Sequence, residues 1–308
     1  MKLATRIKRK ALTFLRSFYF IDKYYYLKDL SAKRKYSTDF IIIYNMGKVG
    51  STSMYESLIK AFPNQDIYHL HRLNTDYLKQ REKMIKSDVY GKKHYSRHLT
   101  TSLLWKPQWV KSIIETHDYN NLKIITMVRE PISRNISLFF QWIDFEETEQ
   151  SYRFKSRNNN YPFDIVTPKN DISELYECFF NNFVHDSHLD WLKTEMNTVI
   201  NLDLLDSPFN LKNGYSIIQS EEAEVLVLKL ESINSNFKSA MNDFFGKEFD
   251  LINANESTNK DINKVYKEFK KNIKFPELYI NTLYESDYMK HFYSDAEIES
   301  FKIKWDKN

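Results

Sequence analysis

The chain has 308 residues, enough to bury a full hydrophobic core, either as one large domain or as a domain with an appended helical part. A formal net charge of +4 is too mild to argue for nucleic-acid binding by itself. The single cysteine, Cys178, excludes an intrachain disulfide and a cysteine-based zinc cluster, and it fits a reducing compartment.

Residues 1–38 form a basic, aromatic lead-in. Lys2, Arg6, Lys8, Arg9, Lys10 and Arg16 alternate there with Leu3, Ile7, Ala11, Leu12, Phe14, Leu15 and Phe18, with neither a signal-peptide core nor a cleavage site. Two readings stand for residues 2–18: a basic amphipathic helix lying on an anionic membrane, or a solvated extension partly packed on the domain. No stretch of about 18 uninterrupted apolar residues occurs, so a spanning helix is not expected. Together with the cysteine count this points to a cytoplasmic location, at the inner face of the membrane if the lead-in binds lipid.

Residues 39–308 read as one α/β domain. Phe40 to Tyr44 is a continuous apolar run rich in β-branched residues, as in a parallel strand covered on both faces. It is followed by Asn45-Met46-Gly47-Lys48-Val49-Gly50-Ser51-Thr52-Ser53, a turn that holds two of only five glycines in the chain. From Ser51 the period changes: Tyr55, Leu58, Ile59 and Phe62 form one helical face, which Pro63 stops. A helix beginning there offers free N–H groups and about half a positive charge. With Lys48 and three hydroxyls around it, the turn reads as an anion cradle for phosphate or sulfate.

Asp66–His71 is a short second strand, with Tyr68 and Leu70 on one face and His69 and His71 on the other. Asn74–Lys86 and Trp105–His117 read as helices, and Lys92–Leu99 is ambiguous. Leu122–Val128 is another buried strand that ends at Arg129-Glu130-Pro131, where Pro131 suits a first helical turn. Residues 146–170 are polar and Asn-rich, which reads as a loop or insertion. Asp171–Met196 suggests two helices, and Thr198–Pro208 and Gly214–Gln219 suggest short strands or a hairpin. Glu224–Leu230 is a third strong strand, followed by a helix to about Phe245, a polar loop from Ala254 to Lys260, and a helical, aromatic tail ending near Trp305. Strands separated by helices argue for a mostly parallel sheet with helices on both faces, with ligands at the carboxyl ends of the strands. Lys48 and Arg129 both fall there.

A Walker A loop places its lysine after the last glycine, whereas here Lys48 follows the first, and the next strong strand ends in Arg129 rather than a metal-binding aspartate. A guanidinium there grips an anion in fork geometry. Glu231, after the third strand, keeps open a displaced metal carboxylate and with it a nucleotide-dependent kinase.

Lys48-Val49-Gly50-Ser51-Thr52-Ser53 resembles the 5′-phosphosulfate loop of sulfotransferases that use 3′-phosphoadenosine 5′-phosphosulfate (PAPS). Val128-Arg129-Glu130-Pro131-Ile132-Ser133-Arg134-Asn135-Ile136-Ser137 resembles their 3′-phosphate motif, in which an arginine ends a strand and a serine eight residues on joins it. The wider chain, about residues 39–305, resembles the bacterial family of capsular polysaccharide synthesis proteins through Pro208-Phe209, Gly214-Tyr215, Val225–Leu230, His291-Phe292-Tyr293-Ser294 and Glu297-Ile298.

The resemblance implies a P-loop-like α/β fold, a mostly parallel sheet flanked by helices on both faces, with helical insertions and a helical C-terminal tail. It implies PAPS as donor, PAP as product, no required metal, and a carbohydrate hydroxyl as acceptor. Gly47, Lys48, Val49, Gly50, Ser51, Thr52 and Ser53 would hold the 5′-phosphosulfate, with Lys48 also catalytic, and Arg129 and Ser137 the 3′-phosphate. Arg134 reads as an exposed helix arginine or a further 3′-phosphate contact. The family often places a base around the second strand; His71 is favoured, His69 is second, and Glu56 is an outside candidate. Ser257, Thr258 and Lys260 resemble a loop closing over the nucleotide, or are plain surface. Arg72, Lys92, Lys93 and Arg97 would suit an anionic glycan or are solvated surface, and the cluster His94, Arg97 and His98 reads as acceptor contacts or surface. A non-catalytic capsule-assembly protein of the same fold is the remaining alternative.

Overall fold

The computed structural model describes residues 19–35, 39–90, 100–146, 151–154, 165–168, 172–253 and 260–306. The lead-in 2–18, the basic residues Lys92, Lys93, His94, Arg97 and His98, and the loop residues Ser257 and Thr258 lie outside the described residues, as does the side chain of Lys260.

The apolar runs become the centre of the molecule. Strands β1 (Asp39–Tyr44), β2 (Asp66–Leu70), β3 (Asn121–Val128), β7 (Tyr215–Gln219) and β8 (Glu224–Lys229) form a five-stranded sheet in the order β2-β1-β3-β8-β7. The first four in that order are mutually parallel, with Ile43 opposite His69 on one side and Ile125 on the other; β7 closes the far edge antiparallel to β8. Phe40–Tyr44, Ile124–Val128 and Val225–Lys229 are buried throughout, as expected of strands covered on both faces.

The pleat shows that the two faces are covered by different helices. Tyr68 packs edge-on against Trp109 of helix α4 (Lys106–Glu115), while its neighbour His69 meets Tyr55 of helix α2 (Ser51–Ala61). Adjacent strand residues point to opposite faces, so α2 and α4 lie on opposite sides of the sheet. Helix α1 (Tyr19–Ala32) and helix α3 (Thr75–Tyr90) meet a small second core of Leu78, Leu104 and Trp105. No described helix is long and apolar enough to cross a membrane.

Two expectations are corrected. Residues 146–170 are not only loop: β4 (Ile143–Glu146), β5 (Ser151–Phe154) and β6 (Ile165–Pro168) form a separate antiparallel three-stranded sheet. Thr198–Pro208 contains no strand; a short helical turn, Thr198–Ile200, ends at Asn201 in the left-handed region with φ 54°.

Helix α5 (Pro131–Gln141) starts where Pro131 suggests, and Glu130 is its N-cap. The buried Glu130 carboxylate accepts from Ile132 N, Ser133 N, the Tyr284 hydroxyl at 2.6 Å and Trp305 Nε1 at 3.4 Å. Tyr284 lies in α10 (Glu277–Tyr284) and Trp305 ends α12 (Asp295–Trp305), so the helical tail is tied to the end of β3.

Candidate anion-binding site

The chain runs from β1 outward to β2, then crosses back to β3 on the other side of β1. This reversal opens a crevice at the carboxyl ends of β1 and β3, the usual place for a ligand on such a sheet. A cavity of about 1160 Å³ lies there. All four parallel strands feed it: the Gly47–Ser53 turn after β1, His69 and His71 at the end of β2, Arg129 after β3, and Leu230 after β8.

The turn after β1 is bent by two left-handed residues, Lys48 with φ 71° and Gly50 with φ 86°. Gly50 caps α2, so the first N–H groups of that helix point toward the cavity mouth. A Cβ on Gly50 would lie 2.6 Å from Leu230 Cδ1, a clash that side chain can relieve by moving, while the left-handed backbone cannot be relieved. Gly50→Ala is therefore expected to destabilise the fold by about 1–2 kcal/mol, read by chemical denaturation. An unchanged midpoint would contradict this turn geometry.

Arg129 reaches across the crevice. Its Nη1 donates to the carbonyl of Lys48 at 2.8 Å, and among the described residues it makes no ion pair with Glu130 or Glu231. Its backbone is held on both sides by the Tyr288 hydroxyl of α11 (Asp287–Phe292), which accepts from Arg129 N and donates to Arg129 O, each at 3.0 Å. Ser137, two turns into α5, lines the same cavity. Glu231 is occupied elsewhere: its carboxylate accepts from Glu130 N at 2.9 Å and from the Tyr293 hydroxyl at 3.0 Å.

His71 lines the cavity and is exposed to solvent there. Its Nδ1 is 2.8 Å from the carbonyl of Asn45. A carbonyl only accepts, so Nδ1 carries the proton and the lone pair is on Nε2. Burial, with smaller contributions from Lys48, Arg72 and Arg134, lowers its pKa below the ordinary histidine value, against the opposing pull of the Asn45 carbonyl. His69 is tucked behind it, ring centroids 4.8 Å apart, with Nε2 buried and unpartnered. Burial, then His71 and Lys106, push His69 down to about 3.

The loop carrying His71 is anchored by residues that no sequence motif marks. Buried Glu195 accepts from the Tyr44 hydroxyl, from Leu73 N at 2.8 Å, from Asn74 N at 2.9 Å and from Arg72 Nη1 at 3.2 Å. Trp191 Nε1 donates to the His71 carbonyl at 2.7 Å. Glu195 lies in a π-helical stretch (Leu192–Asn197), where helical periodicity is broken and a sequence pattern offers no face to read.

The structure thus brings together Gly47, Lys48, Gly50, Ser51, Thr52, Ser53, His69, His71, Arg129 and Ser137 around one cavity. Val49 turns its side chain into the core, and Glu56 is not in the cavity wall. The reading of Arg134 as an exposed helix arginine is overturned: it is 4% exposed, with Nη1 on Asn135 Oδ1 and Ser187 Oγ. The first six residues of α5 are all buried, so no surface remains for it there. The wall also includes Phe140 of α5, Asn234 of α8 (Ile233–Phe245), and Asn263 and Tyr266 of α9 (Lys260–Asn272), none foreseen from motifs.

Beside Arg134, His188 is fully buried and neither ring nitrogen has a hydrogen-bond partner of normal geometry. Burial first, then the Arg134 charge, lower its pKa to about 3; the His185 backbone pulls weakly the other way. Both His188 and His69 are therefore neutral when folded, while the unfolded chain takes up these protons near pH 6.5. Stability from this source is fully present above about pH 6.5 and is lost as pH falls toward 3. His188→Phe should lose less melting temperature than the parent between about pH 7 and pH 5. Equal losses would mean that His188 already carries its proton in the folded state.

Fold and site define an α/β protein with a candidate ligand cavity at a sheet switch point. Comparison with known proteins adds one family: residues 164–294 match the model described as "Putative capsular polysaccharide synthesis protein" (NKWYS). The match spans less than half of the chain, from β6 through α11, and includes the Leu230, Asn234, Asn263 and Tyr266 side of the cavity but neither the Gly47–Ser53 turn nor Arg129. No curated protein and no solved structure matches the chain.

Proposed function

We propose that the protein is a P-loop-like sulfotransferase that moves a sulfuryl group from PAPS to a carbohydrate hydroxyl. The observation that carries this reading is that one cavity contains both the Gly47–Ser53 cradle and the Arg129–Ser137 pair. A nucleotide with anionic groups at both its 5′ and 3′ ends needs two such grips. The match to the capsular family supports a polysaccharide as the acceptor.

The residues present fit the donor. N–H groups at the start of α2, with the Ser51, Thr52 and Ser53 hydroxyls, hold the 5′-phosphosulfate. Arg129 and Ser137 hold the 3′-phosphate. His71 Nε2 takes the proton of the acceptor hydroxyl as its oxygen bonds to sulfur. The bond from sulfur to the bridging oxygen breaks, PAP leaves with that oxygen, and Lys48 neutralises the charge that gathers on it.

Melting temperature with PAP or with ATP and Mg²⁺ tests the donor. PAP at about 100 times its Kd stabilises by roughly 2.7 kcal/mol, a shift of about 4 °C for a chain of this size. A shift with ATP and Mg²⁺ and none with PAP would overturn the sulfotransferase reading. Transfer of labelled sulfate to a panel of glycans tests the acceptor.

A further inference from the structure

Helix α5 holds a charge without a counter-charge. Arg134 lies one turn ahead of Ser137, on the stripe that continues through Ser137 and Gln141 along the cavity wall. Its side chain is buried. Nη1 donates to two neutral oxygens, Asn135 Oδ1 at 3.1 Å and Ser187 Oγ at 2.9 Å, and Nε has no hydrogen-bond partner. Among the described residues Arg134 makes no ion pair. Glu130, one turn before it, spends its carboxylate on two N–H groups of α5, on Tyr284 and on Trp305. Buried charges are normally paired, because water no longer stabilises them.

Loss of the proton does not relieve Arg134. Burial lowers its pKa to about 10, with Arg72 and Arg129 adding to that effect and Tyr288 opposing it, so the guanidinium is charged at neutral pH. The side chains that sense this charge belong to the crevice. Arg129 and Arg72 are repelled by it, and it lowers the proton affinity of His71. Arg129 and His71 line the cavity, whereas Arg134 stands behind the wall. The free protein thus keeps a buried cation behind a rim that already displays Lys48 and Arg129, an arrangement that opposes folding. A multiply charged anion in the cavity turns these repulsions into a shared attraction.

We infer that Arg134 is a specificity-determining residue of the cavity that acts through space: the multiply charged anion held by the Gly47–Ser53 turn and Arg129 is its missing counter-ion. This rests on the cavity being an anion site, but on neither PAPS nor sulfuryl transfer. The charge of Arg134 serves binding at the expense of the stability of the free protein.

Calorimetric titration of the full chain with PAP and with inorganic pyrophosphate tests it, beside the melting temperature of the free protein. Arg134→Gln removes the charge and keeps a donor amide. It should raise the Kd for both anions by about tenfold or more without lowering the melting temperature. Arg134→Lys keeps the charge and should stay within about threefold of the parent. Ser187→Asp leaves Arg134 in place and gives it a carboxylate where Oγ now accepts its bond. Ser187 is half-buried and opens the short helix Ser187–Trp191, where an acidic residue is favourable, so this variant serves even if the glutamine variant does not fold. It should raise the melting temperature of the free protein and weaken both anions by about tenfold. Parent-like affinity in Arg134→Gln or Ser187→Asp would overturn the proposal, and so would Arg134→Lys binding as weakly as the glutamine variant, which would mark a structural role. If pyrophosphate binds and PAP does not, the donor reading falls and the pyrophosphate series alone decides on Arg134. A parent that binds neither anion overturns both.

Discussion

Arg129→Ala is expected to raise the Kd for PAP by about 10²–10³ while changing the Kd for AMP, which lacks the 3′-phosphate, by far less. The number follows from two charge-assisted bonds of roughly 1.5–3 kcal/mol each, reduced because water replaces part of what is lost. The comparison with AMP is needed because Arg129 has a second task. Its Nη1 supports the Lys48 carbonyl, so truncation also slackens the turn that grips the 5′ end. If Arg129 acted only through that support, PAP and AMP would weaken together, and the assignment of the 3′-phosphate to Arg129 would be lost. Arg129→Lys keeps the charge but not the planar fork, and should fall between the parent and the alanine variant. Calorimetric titration of the three proteins with both nucleotides reads all of these outcomes.

His71→Ala is expected to lower kcat by about 10²–10⁴ and to leave the Kd for PAP unchanged. The pH profile is the sharper part of this prediction. Burial and neighbouring cations lower the His71 pKa, so the neutral, proton-accepting form persists below the ordinary histidine range. The acid limb of kcat/KM should therefore lie below about pH 6.5, with activity lost as pH falls through the folded-state pKa. Unchanged kcat in the alanine variant, or an acid limb at or above pH 6.5, would remove His71 from the role. His69 would not easily inherit it, being tucked behind His71 with a pKa near 3, and Glu56 is outside the cavity wall.

Much of this arrangement is legible in the sequence because the chemistry and the punctuation coincide. The runs Phe40–Tyr44, Leu122–Val128 and Glu224–Leu230 are too apolar for anything but the centre of a sheet, and each is β1, β3 or β8 within a residue or so of its observed bounds. A ligand site on such a sheet follows from topology, so Lys48 and Arg129, each at a strand end, fall on one rim. Other features were hidden for identifiable reasons. The insertion sheet β4–β6 is short, and its polar, Asn-rich connections read as loop. Arg134 looks like a surface residue because arginine usually is one, and only the packing of α9, α10 and the Ser187 segment around α5 removes that surface. Tyr266 and Asn263 reach the cavity from a helix more than 120 residues beyond Ser137, a juxtaposition that no local pattern encodes.

The bond from Trp305 to Glu130 sets where this chain can be cut. The stretch shared with the capsular family stops at Ser294, the N-cap of the last helix, so that stretch alone lacks Trp305, and it lacks β1 and β3 as well. Excised, it would leave β8, buried along nearly its whole length here, as a bare apolar edge where β3 had been. Such an edge is a template for aggregation. The shared stretch is therefore not a portable module, and domain swaps or truncated expression clones should keep β1, β3 and Trp305 together with it.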